Sequence, residues 1–143
     1  MDASYDAAMA RYVIDAPTLL RLVASDLPVS PRHQLVAPNL IRSQALSLLL
    51  EAVRHGELTE DVALRHHERL TELKMRLLGD RVSRRTAWKI AREKGWETTY
   101  DAEYLAVTKL QADALVTVNP TLAAKAKDFV ALAAFEVLTA GQH

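Results

Sequence analysis

The sequence predicts an α/β fold in which a central parallel sheet is covered by helices on both faces. Two observations carry that expectation. Short apolar runs rich in β-branched residues alternate with longer segments whose apolar residues recur at helical spacing, the order that βαβ units produce. The run at 114–120, "ALVTVNP", has little polar alternation and stops at Asn119-Pro120, as a strand buried on both faces does. The length, 143 residues, suits a single domain over 1–143 with a sizeable core.

The elements follow in order. "RYVID" reads as a strand ending in Asp15, and "PTLLRLVAS" as a helix with Pro17 in the first turn, where a missing N–H costs nothing. "HQLVAP" is a second strand. "NLIRSQALSLLLEAVRHG" is a long helix stopped by Gly56, with Leu40, Ala45, Leu46, Leu49, Leu50 and Val53 at helical spacing. "LTEDVALRHHERLTELK" starts at the capping residue Thr59 and places acids in the first turn. "MRLLG" suits a third strand. A helix from Ser83 to about Lys94 ends at Gly95, another helix opens near Asp101, and "DALVTVN" is a late strand. "PTLAAKAKD" is a short helix, and "FVALAAFEVL" suits either a strand or a helix.

Composition narrows the function. Acids and bases balance at 18 each, so any grip on nucleic acid must come from a local patch rather than a global basic field. With no cysteine, disulfides, thiolate zinc sites and cysteine nucleophiles are excluded. The start, "MDASYDAAMARYV", lacks the basic-then-apolar order of a signal peptide, and no apolar run approaches a membrane span. These features predict a soluble, cytoplasmic protein with no membrane partner.

Several chemistries drop out by motif. The turn after the first strand is "DAPT", without the glycines of a dinucleotide or phosphate-cradling loop. No Gly-x-Ser-x-Gly elbow occurs. The five histidines read as solvated surface, His66 and His67 being adjacent and so unable to chelate from one helix face. What remains are polar side chains at strand ends and helix starts: Asp15, Asp101 and Asn119. In a parallel sheet such positions share one edge, and two aspartates meeting there can hold a hard cation such as Mg²⁺. Each aspartate has a plainer use as a helix cap. Arg85, Lys89 and Arg92, with Arg81 upstream, share a helix face opposite Ala87, Ile90 and Ala91. That stripe is either an ordinary solvated face or a phosphate-contacting surface.

Three stretches together, "YVIDAPTLLRLV", "LVAPNLIRSQALSLL" and "LLGDRVSRRTAWKIAREKGWETTYDAEYLAVTKLQADALVTVNPTLA", resemble a PIN domain of the VapC toxin type. The resemblance runs from about Tyr12 to Lys125. It implies a three-layer α/β/α sandwich, a type II toxin-antitoxin partner of the VapB kind, a homodimer, and Mg²⁺- or Mn²⁺-dependent endoribonuclease chemistry on RNA. The family's site has four acidic positions. Asp15 and Asp101 match the first and third. Gln44, in "LIRSQALS", stands at the second, and Asn119, in "VTVN", at the fourth. Thr117 matches the threonine of the last motif, and Thr18 is a hydroxyl close to the first aspartate.

The two amides keep shape and hydrogen-bonding capacity while removing charge. A unit charge at about 4 Å contributes on the order of 4 kcal/mol at an effective dielectric near 20, before desolvation offsets it. Losing two such charges weakens metal binding and leaves Asp15 and Asp101 as the metal ligands. Glu51, about 10 Å along the helix from Gln44, is not expected to substitute. Glu103 is expected to point away from Asp101. Two functions follow from the resemblance: a weakened or inactive VapC-like ribonuclease, or a degenerate PIN domain that binds RNA or antitoxin without cutting. A dimeric scaffold is a third option. Restoring both carboxylates is expected to restore metal affinity.

Overall fold

The computed structural model describes residues 9–25 and 27–139. His143 lies outside them. Four strands, β1 (Arg11–Ile14), β2 (Gln34–Pro38), β3 (Arg76–Leu78) and β4 (Ala114–Val116), form one all-parallel sheet in the order β3-β2-β1-β4. The helices are α1 (Ala16–Ala24), α2 (Ile41–Arg54), α3 (Glu60–Glu72), α4 (Arg81–Lys94), α5 (Tyr100–Gln111) and α6 (Pro120–Ala126). Helices α1, α2 and α3 pack on one another, while α4 packs on α5 and α5 lies on β1, β2 and β4. The architecture is a three-layer α/β/α sandwich.

The strand order fixes where a site can form. From β1 the chain steps outward to β2 and then β3, and it returns to the other side of β1 with β4. The connections after β1 and β4 therefore leave the sheet in opposite directions, which opens a crevice at their carboxyl ends. Asp15 follows β1 and Asn119 follows β4. Between them the sheet is core: Val13, Ile14, Val36, Leu115 and Val116 are almost fully buried, as strands covered on both faces should be.

Most helix ends follow the chemistry of the sequence. Thr59 Oγ1 accepts the Val62 N–H to cap α3. Gly95 ends α4 at φ 71°, a left-handed conformation that glycine adopts without a Cβ clash. Helix α4 starts two residues earlier than expected, at Arg81, because Asp80 takes the N-cap position. The Ser83 hydroxyl donates to Asp80 Oδ1 at 2.6 Å and holds that carboxyl below its usual range.

Three expectations need correction. Leu46 and Leu50 share the periodicity of the α2 core residues but face outward, with only Ala45 and Leu49 of that set fully buried. The helix turns its wide apolar stripe partly away from the sheet. "FVALAAF" forms neither a full strand nor a full helix. Leu115 N–H donates to Ala131 O and Ala133 N–H to Leu115 O, a single parallel bridge beside β4, and Phe135–Leu138 is one 3₁₀ turn. His33 is not plain solvated surface either, since its Nδ1 accepts the Ala10 N–H at 3.2 Å and its ring meets Tyr12 edge-on.

Candidate functional site

Asp15, Gln44, Asp101 and Asn119 all line one cleft of about 470 Å³ at the carboxyl edge of the sheet. They come from four connections: the end of β1, the second turn of α2, the first turn of α5 and the start of α6. Gln44 and Asp101 reach it from opposite layers of the sandwich. Tyr104, three residues beyond Asp101, closes the gap by donating its hydroxyl to Gln44 Oε1 at 2.6 Å.

Asp15 is 3% exposed and fully engaged. Its Oδ1 accepts the Thr18 N–H at 3.3 Å, which caps α1, and also the Thr18 hydroxyl. Its Oδ2 accepts the Thr117 hydroxyl at 2.7 Å. The two threonines pass the contact on. Val118 N–H donates to Thr18 Oγ1 and Asn119 N–H to Thr117 Oγ1, both at 3.0 Å. Asp15 is thus both the cap read from "DAP" and the anchor of the loop leaving β4.

The other positions are equally occupied. Asn119 does not end β4, which stops at Val116; it N-caps α6, its Oδ1 accepting the Thr121 N–H at 2.9 Å. Asp101 is not a helix cap, because Thr99 holds that position. Its Oδ2 lies 2.8 Å from Lys125 Nζ, and the same ammonium sits 4.7 Å from the centre of the Trp96 ring. Sequence reasoning missed Lys125, which sits nearly two turns after the Asn119 cap, one turn beyond the cleft-lining Leu122. Glu51 also lines the cleft, farther along α2 than Gln44. Two helical turns separate it from Gln44 in length but keep it near the same face. Glu103 points elsewhere, accepting the Thr99 hydroxyl at 2.9 Å.

The oxygens present are committed to hydrogen bonds and an ion pair as they stand, rather than gathered as a cation shell. Mg²⁺ demands a nearly octahedral oxygen shell anchored on carboxylate. Both Asp15 oxygens already receive hydroxyl hydrogens, the Gln44 oxygen receives a phenol, and the Asn119 oxygen receives a backbone N–H. Asp101 is neutralised by Lys125. Among the described residues no three His, Cys, Asp or Glu side chains gather in a metal-binding group.

Tyr104 is 2% exposed. Burial, then the charges of Asp15, Asp101 and Glu103, push its phenol far up, so it stays a protonated donor. Tyr104→Phe is expected to leave the Gln44 oxygen without this partner and to cost about 1–2 kcal/mol of stability by chemical denaturation. An unchanged midpoint would mean that the cross-layer bond contributes nothing.

The chain superposes on the crystal structure of PAE2754 from Pyrobaculum aerophilum with a TM-score of 0.66. The two are 25% identical, and the match covers 90% of this chain and 92% of that one. No family model and no curated protein matches the chain. The structural likeness extends over nearly all of both chains, so the sandwich is a complete shared architecture rather than a common fragment. Among the described residues no helix is long and apolar enough to cross a membrane.

Proposed function

We propose that this is a VapC-type PIN-domain protein that has kept RNA binding and lost most of the metal-dependent hydrolysis of its family. The observation that carries the reading is the convergence of Asp15, Gln44, Asp101 and Asn119 on one cleft. These are the four positions at which the resembled family has acids, and they are distant in sequence. That two are amides, and that Lys125 neutralises a third position, favours binding over cleavage. Fewer negative charges in the cleft also repel an RNA phosphate less.

Helix α4 supplies a surface for the strand. Arg81, Arg85, Lys89 and Arg92 are exposed, and Trp88 is 61% exposed among them. Cations with an interleaved aromatic suit a single strand, phosphates taking the charges and a base stacking on the indole. The first turn of α4 follows the carboxyl end of β3, so it shares the sheet edge with the cleft.

The test is fluorescence anisotropy with a labelled single-stranded RNA at several salt concentrations, alongside a cleavage assay in Mn²⁺. Arg85→Ala with Lys89→Ala is expected to weaken binding about tenfold and to flatten the log–log salt slope by about 1.4, two contacts at about 0.7 each. RNA should survive intact in Mn²⁺. Rapid metal-dependent cutting would refute the loss of hydrolysis, and no RNA binding at low salt would refute the reading as a whole.

A second reading rests on Leu46 and Leu50, one turn apart on α2 and 49% and 62% exposed, with Leu64 of α3 54% exposed. An apolar strip of this kind suits a helix from a small VapB-like antitoxin or a second copy of the chain. Light scattering of the chain alone separates these partners.

A further inference from the structure

The second cleft of the molecule lies at the opposite, amino edge of the sheet. It encloses about 790 Å³, and its lining among the described residues includes Arg11, Arg32, Lys74 and Arg76 but no Asp or Glu. Register explains the gathering. Arg11 pairs with Gln34 and Arg76 with Val36. Lys74 therefore sits level with Gln34, about 10 Å from Arg11 across two strand spacings. Arg32 precedes β2 on the same edge.

All four cations are exposed. The one side-chain ion pair within 4 Å among the described residues is Lys125–Asp101, so none of the four has a carboxylate of a described residue at that distance. Asp113, next to Arg11, uses Oδ2 to accept the Arg11 backbone N–H. In a chain with equal acids and bases, an unbalanced basic hollow repels itself, and a concave surface of one sign concentrates anions. Arg is suited to this because its planar fork binds phosphate oxygens in pairs.

The rest of the lining narrows the anion. Met9, 52% exposed, and Met75 offer thioethers, which make favourable contacts with flat aromatic rings. His33 also lines the groove. Because its Nδ1 accepts the Ala10 N–H, the neutral ring carries its proton on Nε2. Burial and the charge of Arg32 hold its pKa below the usual value, which favours that neutral form. It therefore adds a single neutral donor rather than a fifth charge.

We propose that this groove binds a nucleoside polyphosphate, its phosphates on the Arg11, Arg32, Lys74 and Arg76 cations and its base against Met9 and Met75. The same chemistry can arrive as a free nucleotide or as the phosphorylated end of a strand. The inference does not rest on the proposed function, since the groove and the cleft sit at opposite sheet edges.

Calorimetric titration of the full chain at low salt tests it, with ATP, inorganic pyrophosphate and a 5′-phosphorylated oligouridine as separate probes. ATP is expected to bind, pyrophosphate to bind more weakly for want of a base, and Lys74→Gln with Arg76→Gln to weaken ATP binding about tenfold. Arg85→Gln with Lys89→Gln, on α4, should leave ATP affinity unchanged. If the Lys74 and Arg76 variant melts early, Arg32→Gln provides the same test from another element. Oligouridine binding that falls in the groove variant, without ATP binding, supports the strand end as the source. Overturning results are the absence of heat with both ATP and oligouridine, or equal affinities in the wild-type and groove variants. Loss of oligouridine binding only in the α4 variant, with no ATP binding, also overturns the groove, and it leaves the proposed function standing.

Discussion

Restoring the two carboxylates alone, by Gln44→Glu with Asn119→Asp, is expected to raise Mn²⁺ affinity only modestly. Adding Lys125→Met is expected to raise it by about a hundredfold more. The difference follows from Lys125, which holds Asp101 at 2.8 Å and would face an incoming dication at close range. That pair is partly exposed, its side chains at 32% and 37%, so on its own it stabilises the fold by at most about 1 kcal/mol. Its leverage lies in charge instead. An ammonium near the ligands opposes a double charge, and removing it adds to the two carboxylates because all three act on one ion.

The three changes suit their places. Glutamate at position 44 still accepts the Tyr104 hydroxyl, and aspartate at 119 still caps α6. Methionine keeps an apolar stem against Trp96. Calorimetric titration of Mn²⁺ into wild-type, double and triple variants decides the matter. If the double variant matches the triple, Lys125 is not the cation that keeps metal out. RNA cleavage in Mn²⁺ should follow the order of affinities.

The sequence made the sheet legible because each buried strand is a short run without polar alternation, and the order of runs and helices leaves few topologies. It also carried Asp15 and Asn119 to one edge, since both follow strands. What it could not carry was the pairing of side chains across the layers. Tyr104 with Gln44 and Lys125 with Asp101 are joined by packing rather than by spacing. Periodicity likewise grouped Leu46 and Leu50 with Ala45 and Leu49, because a stripe wider than its contact surface looks the same in sequence whichever part is covered. The place of Glu51 in the cleft was unreadable for a related reason: distance along the helix axis is readable, but the shape of a cleft that runs along the helix is not.

Asp15→Ala, the natural choice for a dead-site control, is expected to be among the most destabilising substitutions at the cleft. The carboxylate receives the Thr18 N–H and the hydroxyls of Thr18 and Thr117. Those threonines in turn accept the N–H groups of Val118 and Asn119. Alanine strands two hydroxyl donors in a pocket where Thr18 is fully buried, at about 1–3 kcal/mol each, and removes a cap worth about 1 kcal/mol. The sum, roughly 3–7 kcal/mol, is a large share of the 5–15 kcal/mol typical of a domain. The thermal midpoint should fall by about 10 °C or more. Asp15→Asn keeps one acceptor oxygen and should recover part of the loss. Asp101→Ala, which gives up only a half-exposed ion pair, should melt within a few degrees of wild type. Differential scanning calorimetry of the three variants checks the order. If Asp15→Ala melts like wild type, the buried hydroxyls have found other partners, and the carboxylate is free to serve the cleft rather than the fold.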